Sequence, residues 1–351
     1  MDLSVVWQDY GLDRLQEGMN ELFPQKSLSL EQLLGKVISG DILGALTELF
    51  TGSIAGIQAQ FSGMKNILVW LLILGILSSL MNHFVEIFDR HQVADISFYF
   101  MYLLFSAVLL GSFSQAAQVA EETMENVILF VKLLVPAYLI SVGVAAGAVT
   151  AGASYQMMLL VIYGVEYILM SALLPLIYSY VMLSMINGIW AEEKLTLLID
   201  LLGKVVGWIL KAAIGVVTGI SFFQALITPL VDSAKSSALQ KALSSLPGVG
   251  NLADGAVELV LGSAMILKNS IGVVLLLLLL LLCAAPLFKI AMIAFILKCA
   301  AAFMEIVSDK RITACANRTG DGALLLLRTA GTAMLLFLIA IAVCTASLRK
   351  F

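Results

Sequence analysis

The sequence is poor in charge and in histidine, and it lacks the short motifs of the common enzyme classes. Charged side chains make up 13% of its 351 residues, and it contains two histidines. With so few imidazoles, a histidine-based catalytic or metal centre is not expected. No GxxxxGK[ST], HExxH, GxSxG or EF-hand spacing occurs, so P-loop nucleotide hydrolysis is not expected either. We therefore expect no enzyme activity and no cofactor, and any work would draw energy from a partner or an ion gradient.

Cysteine and net charge exclude further classes. The four cysteines lie among apolar residues without a CxxC pair: Cys283, Cys299, Cys315 and Cys344. Isolated cysteines of this kind are typical of small packing residues, so we expect neither a redox centre nor a zinc site. The formal net charge of −4 provides no basic surface, so no nucleic-acid partner is expected.

Apolar residues, in contrast, are abundant. They make up 61% of the sequence, and its mean hydropathy of +1.01 exceeds that of soluble domains. Uncharged stretches of twenty or more residues occur at 66–85, 96–120, 133–165, 167–191, 212–231, 269–288 and 329–348. About twenty apolar residues in a helix cross the roughly 30 Å hydrocarbon core of a bilayer. We therefore predict an all-α, polytopic membrane protein with about seven or eight transmembrane helices and additional amphipathic helices at its surface.

Charge divides the chain into two parts. Residues 1–65 carry many acidic side chains, and from Leu30 onward their apolar residues recur at helical spacing. We predict that 1–65 is an N-terminal amphipathic, extracytoplasmic segment and that 66–351 is a transmembrane helical domain. Within this domain, 232–268 is predicted to be a more polar insert of loop and amphipathic helix. No cationic stretch precedes an apolar core at the start, so no signal peptide is expected in the sequence.

The orientation is predicted from lysine and arginine in the loops. Residues 112–126 contain three glutamates and no basic residue, which favours a loop outside the cell. Lys310, Arg311 and Arg318 cluster before the last span and favour the cytoplasm. A change of side needs an odd number of crossings, yet a simple count of the spans between these two regions gives an even number.

The apolar block 155–190 offers one solution. A helix of this length is too long for one upright span, and Pro175 near its middle favours a break. We predict a helical hairpin in this block. The alternative is that 287–307 crosses the membrane despite its lysines.

A regular glycine stripe marks the predicted fifth span. Gly203, Gly207, Gly215 and Gly219 lie at intervals of four, and Lys211 occupies the missing step. Small residues at this spacing let another helix approach closely, so we predict a helix interface with a buried ammonium. The alternative is ordinary helix packing, with Lys211 extending to the membrane surface.

Glu166 is the second candidate, because it lies within a long apolar run. A carboxylate inside a membrane is expensive and is expected to be paired, protonated or facing water. Its candidate partners are Lys211 and Lys132. Both a structural pair between helices and a role in proton or substrate transport are open.

Several longer motifs resemble the stage III sporulation protein AE family. They are FQALITPLVDS at 223–233, LPGVGN at 246–251, GSAMILKNS at 262–270 and KCAAAF at 298–303. The resemblance extends over roughly residues 30–347 and is densest at 219–303. The motif residues singled out are Gln224, Thr228, Pro229, Asp232, Pro247, Gly248, Gly250, Lys268 and Asn269.

The resemblance implies a biological setting. Members of this family are multi-pass proteins in the mother-cell membrane of endospore-forming bacteria. They belong to a set of eight proteins, AA to AH, which work with forespore protein Q in a secretion-like channel complex between the two cells. Protein AA resembles secretion ATPases and would supply energy, while the AE member would be a permease-like membrane part. The resemblance assigns no catalytic residue, and family members usually begin with a signal sequence.

Three functions are open on the sequence. The first is a non-enzymatic subunit of this channel complex, in contact with the lipid bilayer and its partner proteins. The second is a stand-alone secondary transporter or permease with Glu166 and Lys211 near its substrate site, although the sequence shows no matching halves. The third is a pure assembly scaffold. A homo-oligomer is compatible with each of them.

Overall fold

The computed structural model describes residues 12–23, 29–50, 69–73, 75–77, 80, 91–146, 148–190, 194–244, 250–306 and 308–346. Nearly all of these residues are helical, and none of them lies in a β-strand. The predicted all-α class is therefore confirmed.

The helices fall into a short N-terminal group and a long membrane group. The N-terminal helices are α1 (Leu12–Leu22), α2 (Leu30–Ile38) and α3 (Ile42–Phe50). The long group comprises α4 (His91–Ala146), α5 (Ala148–Gly164), a π-helical segment (Val165–Leu173), α6 (Leu174–Ile189), α7 (Thr196–Ser244), α8 (Gly250–Met304) and α9 (Lys310–Ala346).

Five stretches of the described chain are long and apolar enough to cross a membrane. They are Ile96–Pro136, Ala151–Ile189, Thr196–Phe223, Met265–Met304 and Lys310–Thr345. The prediction of a multi-pass membrane protein is therefore confirmed, whereas the count of about seven or eight spans stays a prediction. The longest stretch has 41 residues, roughly 62 Å at the rise of an α-helix, which is about twice the thickness of a bilayer core.

The predicted loop at 112–126 is wrong. Helix α4 runs without a break from His91 to Ala146 and includes all of it. The segment is rich in alanine, glutamine and glutamate, which favour helix, and it contains neither glycine nor proline. Its small apolar residues continue the buried stripe of the helix, because Ala116, Ala120 and Met124 are each fully buried. Its three glutamates are exposed on the other side of the same helix.

The predicted hairpin in 155–190 is wrong as well. The chain stays helical from α5 through the π-helical segment into α6. Pro175 lies in the first turn of α6, directly after the π-helical segment. The wider hydrogen-bonding pattern of that segment tolerates a residue without an N–H, so the chain continues as a helix and does not turn back. The alternative crossing at 287–307 is not a separate span either, because α8 continues through this region to Met304.

Helix α9 occupies the centre of the bundle and packs on α8, α4, α7 and α6. Three of the predicted packing cysteines, Cys283, Cys315 and Cys344, are buried, and all four cysteines are free thiols. The N-terminal helices pack on this bundle: α1 lies against α4, and α2 and α3 lie against α8. Helix α2 begins where the Ser29 hydroxyl caps the Gln32 amide, and its buried residues Leu33 and Leu34 hold it on the bundle.

Candidate functional site

The Glu166 carboxylate forms an ion pair with the Lys132 ammonium. Glu166 Oε2 lies 3.9 Å from Lys132 Nζ, and the two side chains are 59% and 53% exposed. They line a groove of about 400 Å³ between α4 and the π-helical segment, together with Glu125, Ile128, Leu129, Met170 and Ser171. A pair this exposed and this long contributes at most about 1 kcal/mol in water, so it is not the main support of the fold.

The π-helical segment Val165–Leu173 sets the position of Glu166. Its wider turn places Val165, Leu169 and Leu173 in the core and leaves Glu166 pointing into the groove. The Ser171 hydroxyl donates a hydrogen bond to the Glu166 carbonyl, five residues earlier in the chain, at 3.3 Å. Single π-helical turns inside α-helices are frequent at functional sites.

Of the two predicted partners of Glu166, the structure selects Lys132. Lys211 is exposed on α7, and no ion pair connects it to Glu166 in the described part of the chain. Chemically, the groove holds two carboxylates and one ammonium, which suit binding of a cationic group or exchange of a proton. The described residues include no group of three or more histidine, cysteine or acidic side chains placed to hold a metal ion.

The glycine stripe on α7 is half-buried at Gly203, Gly207 and Gly219 and exposed at Gly215. A Cβ added at Gly203 would meet the Tyr180 ring at 3.4 Å, whereas one added at Gly207, Gly215 or Gly219 would meet none of the described residues within 4 Å. Lys211 is exposed beside these glycines, so this chain alone does not bury its ammonium. The stripe is therefore open along most of its length, and its role as an interface stays a prediction.

A stronger polar contact was missed by the sequence analysis. Lys298 Nζ on α8 lies 2.7 Å from Asp321 Oδ1 on α9 and donates to Asn317 Oδ1 at 2.6 Å. Gly320 makes room for the lysine stem, because an added Cβ would lie 3.1 Å from its Cγ. The KCAAAF motif at 298–303 held the available signal, since it starts with Lys298. Its partners are on another helix and could not be read from the sequence.

A second missed cluster joins the start of α4 to α6 and α9. The Tyr102 hydroxyl donates to the Met185 carbonyl at 2.6 Å, and the Arg311 guanidinium lies 3.6 Å from the centre of the Phe98 ring. Gly188 permits the tyrosine contact, because a Cβ there would overlap the Tyr102 hydroxyl. These contacts fix the relative heights of three long helices.

The motif residues of the family resemblance lie in three environments. Lys268 is 1% exposed, and its ammonium has no hydrogen-bond partner among the described residues, while its neighbour Asn269 is exposed. Gly250 is the first residue of α8. The backbones of Gln224, Thr228, Pro229 and Asp232 belong to α7, but their side chains are outside the described part, as are Pro247 and Gly248.

Comparison with known proteins identifies the family. Residues 28–347 match the stage III sporulation protein AE family, which is 91% of the chain by length. A relative of the same description from Bacillus subtilis (strain 168) is 21% identical over 274 residues, covering 78% of this chain and 69% of the relative. No solved structure matches. The match runs through all of the long helices described above, so the chain belongs to the stage III sporulation protein AE family.

Proposed function

We propose that this protein is a non-enzymatic integral membrane subunit of a secretion-like channel complex between mother cell and forespore. It would lie in the mother-cell membrane and assemble with the other stage III sporulation A proteins, including the AA ATPase, and with forespore protein Q. The observation that carries the proposal is the family match over residues 28–347. Membership supports a role in sporulation, and the structure supplies the multi-pass body that such a subunit needs.

The surface of α7 supports a role in assembly. In the most apolar part of α7, only 22% of the residues are buried by the rest of the protein. The corresponding value for the central helix α9 is 56%. Gly207 and Gly215 leave open space along this surface. Because small residues let a neighbouring helix backbone approach closely, α7 suits contact with a helix of another subunit.

A pull-down from sporulating cells tests the proposal. The tagged protein is extracted in mild detergent, and the bound proteins are identified by mass spectrometry, with an untagged strain as control. Recovery of several AA-to-AH proteins is the expected result. Recovery of the tagged protein alone, under conditions in which AA-to-AH proteins recover one another, would contradict the proposal.

The groove at Glu166 favours a second candidate, a permease that moves a cation or a proton. A carboxylate and an ammonium 3.9 Å apart in an open groove between membrane helices are the groups that such a site needs. Changing Glu166 to glutamine removes the charge with little change of shape. Full sporulation of a Glu166→Gln strain would exclude this role.

A further inference from the structure

One lysine is enclosed inside the bundle without a counter-charge. Lys268 lies on α8, near the start of the span Met265–Met304, and its side chain is 1% exposed. Its ammonium has no hydrogen-bond partner and no ion pair among the described residues. Lysine is almost never fully buried unless it is paired, because a charge away from water and without a partner is unfavourable. The environment of Lys268 therefore decides what could neutralise it.

Polar groups from three other helices lie beside this lysine. The Cys344 thiol on α9 is close enough to the Lys268 ammonium for an electrostatic interaction. The same thiol is within hydrogen-bonding reach of the Tyr138 hydroxyl on α4 and the Ser154 hydroxyl on α5. All four side chains are buried, with exposures of 8% or less. We call these four residues the Lys268 cluster.

Close contacts between the helices hold the cluster in place. A Cβ at Gly272, one turn after Lys268, would overlap Thr345 Oγ1, so α8 and α9 approach closely at this point. The Tyr138 hydroxyl lies 2.9 Å from the same Thr345 oxygen, which joins α4 to α9. These contacts do not involve the Lys268 ammonium. The cluster is therefore positioned by the packing of the helices, and its ammonium is left over for another partner.

The helices that form the cluster offer no carboxylate to this ammonium. The stretches 133–165 and 329–348, which contribute the hydroxyl and thiol groups, have no charged residue. Along α8, no acidic residue lies between Glu258 and Glu305. Glu258 precedes Lys268 by ten residues, roughly 15 Å along a helix, which is too far for an ion pair.

Helices α2 and α3 also pack on α8. Their described carboxylates, Glu31 and Asp41, are exposed, whereas the Lys268 ammonium is buried. These side chains therefore do not neutralise the lysine either.

We propose that the Lys268 cluster binds a small monovalent inorganic anion, of the size of chloride, where α4, α5, α8 and α9 meet. The ammonium supplies a full positive charge and three N–H donors, and the neighbouring hydroxyl and thiol hydrogens can rotate toward a bound ion. One positive charge matches one negative charge. The burial of all four side chains favours an ion over a lipid headgroup or an organic ligand.

The bound anion stabilises the folded protein. It neutralises a charge that is otherwise buried without a partner, and it connects the start of the α8 span to the end of α9. An ion that binds the folded state alone raises its stability by mass action. The site belongs to the chain by itself and does not depend on the channel complex proposed above.

Thermal unfolding of the purified full-length protein in detergent tests the site. Sodium chloride replaces sodium gluconate at constant ionic strength, because gluconate is too large for an enclosed cluster. The unfolding midpoint of the parent should rise and then level off, by about 2 °C when chloride exceeds its dissociation constant tenfold. The Lys268→Met protein should show no such rise, although it starts from a higher midpoint in gluconate because it buries no unpaired charge. Lys289→Met, at a half-buried position of the same helix, should respond to chloride as the parent does.

Broadening of the chloride NMR signal measures the exchange of free chloride with the bound ion directly. The parent and Lys289→Met should broaden the signal, and Lys268→Met should lose this effect. Lys268→Gln, which removes the charge and keeps a polar side chain, serves as a second variant and should lose it too. A parent that does not respond to chloride would overturn the site, as would variants of Lys268 that respond like the parent. Because no partner protein is present, either result is independent of the pull-down that tests the channel complex.

Discussion

Lys298 and Asp321 join the two most extensively packed helices, α8 and α9, through a 2.7 Å contact between ammonium and carboxylate. The two side chains are 30% and 42% exposed, and the Lys298 ammonium also donates a hydrogen bond to Asn317 Oδ1. The pair thus links α8 to α9 by a charged contact in addition to their apolar packing. Removing the Asp321 carboxylate should therefore lower the stability of the protein.

Changing Asp321 to asparagine should lower the stability of the folded protein. The substitution keeps the shape but leaves the Lys298 ammonium without its counter-charge, and because the pair is partly exposed we expect a cost of about 1 kcal/mol. Thermal unfolding of the purified protein in detergent measures the effect. The matched control is Glu166→Gln, which breaks the longer and more exposed pair with Lys132 and should change the midpoint little. Equal midpoints for the two variants would contradict the assignment.

Gly322 on α9 should not tolerate alanine, whereas Gly331 on the same helix should. A Cβ at Gly322 would overlap the Val181 side chain and crowd Phe113, while one at Gly331 would meet none of the described residues within 4 Å. Overpacking of this kind costs about 1–3 kcal/mol. Alanine at Gly331 should instead stabilise the helix by up to about 1 kcal/mol. Unfolding midpoints that move in the same direction for both variants would refute the predicted contact.

These contacts show what the sequence could and could not predict. Long uncharged stretches were sufficient for the all-α membrane class, because apolar helices of that length have few alternatives. The helix formers of 112–126 are consistent with the continuation of α4, whereas its glutamates, without basic residues, favour a loop. Acidic residues at one helix face are compatible with a straight helix whose other face stays buried. The charge pattern therefore located a surface and not a turn.

The candidate site was also predictable only in part. Glu166 was found because a carboxylate in an apolar run is rare, and its choice of Lys132 over Lys211 followed only from the packing of α4 on the π-helical segment. The contact of Lys298 with Asp321 joins residues on two antiparallel helices. No spacing in the sequence encodes such a pair, because the register between the helices depends on close contacts such as that of Gly320 with the Lys298 stem.

Replacing Lys268 with methionine should raise the stability of the protein. The lysine is 1% exposed, and its ammonium has no hydrogen-bond partner in the described part of the chain. Burial of an unpaired charge is unfavourable, so an apolar side chain of similar length should stabilise by about 1 kcal/mol or more. Thermal unfolding in detergent provides the measurement, and Lys289→Met, at a half-buried position of the same helix, is the control.

Sporulation of the Lys268→Met strain then distinguishes a functional role of Lys268 from a purely structural one. If Lys268 is kept for function, as its place in the GSAMILKNS motif suggests, the more stable variant should sporulate poorly. A variant that is less stable than the parent would show that the buried ammonium has a stabilising partner after all.

Leucine at Gly207 and Gly215 should block assembly without affecting the fold. A Cβ added at either glycine would meet nothing within 4 Å among the described residues, so we expect the isolated protein to accommodate the larger side chains. They would, however, keep a partner helix from approaching α7, because close contact at such a stripe requires small residues. The expected result is a normal unfolding midpoint, normal membrane insertion and loss of co-purifying proteins. Val216→Leu is the matched control, since Val216 is exposed on the same helix and is already large. If the Gly207→Leu, Gly215→Leu variant retains its partners as the control does, the α7 stripe is not an interface, and the partners must bind another face of the bundle.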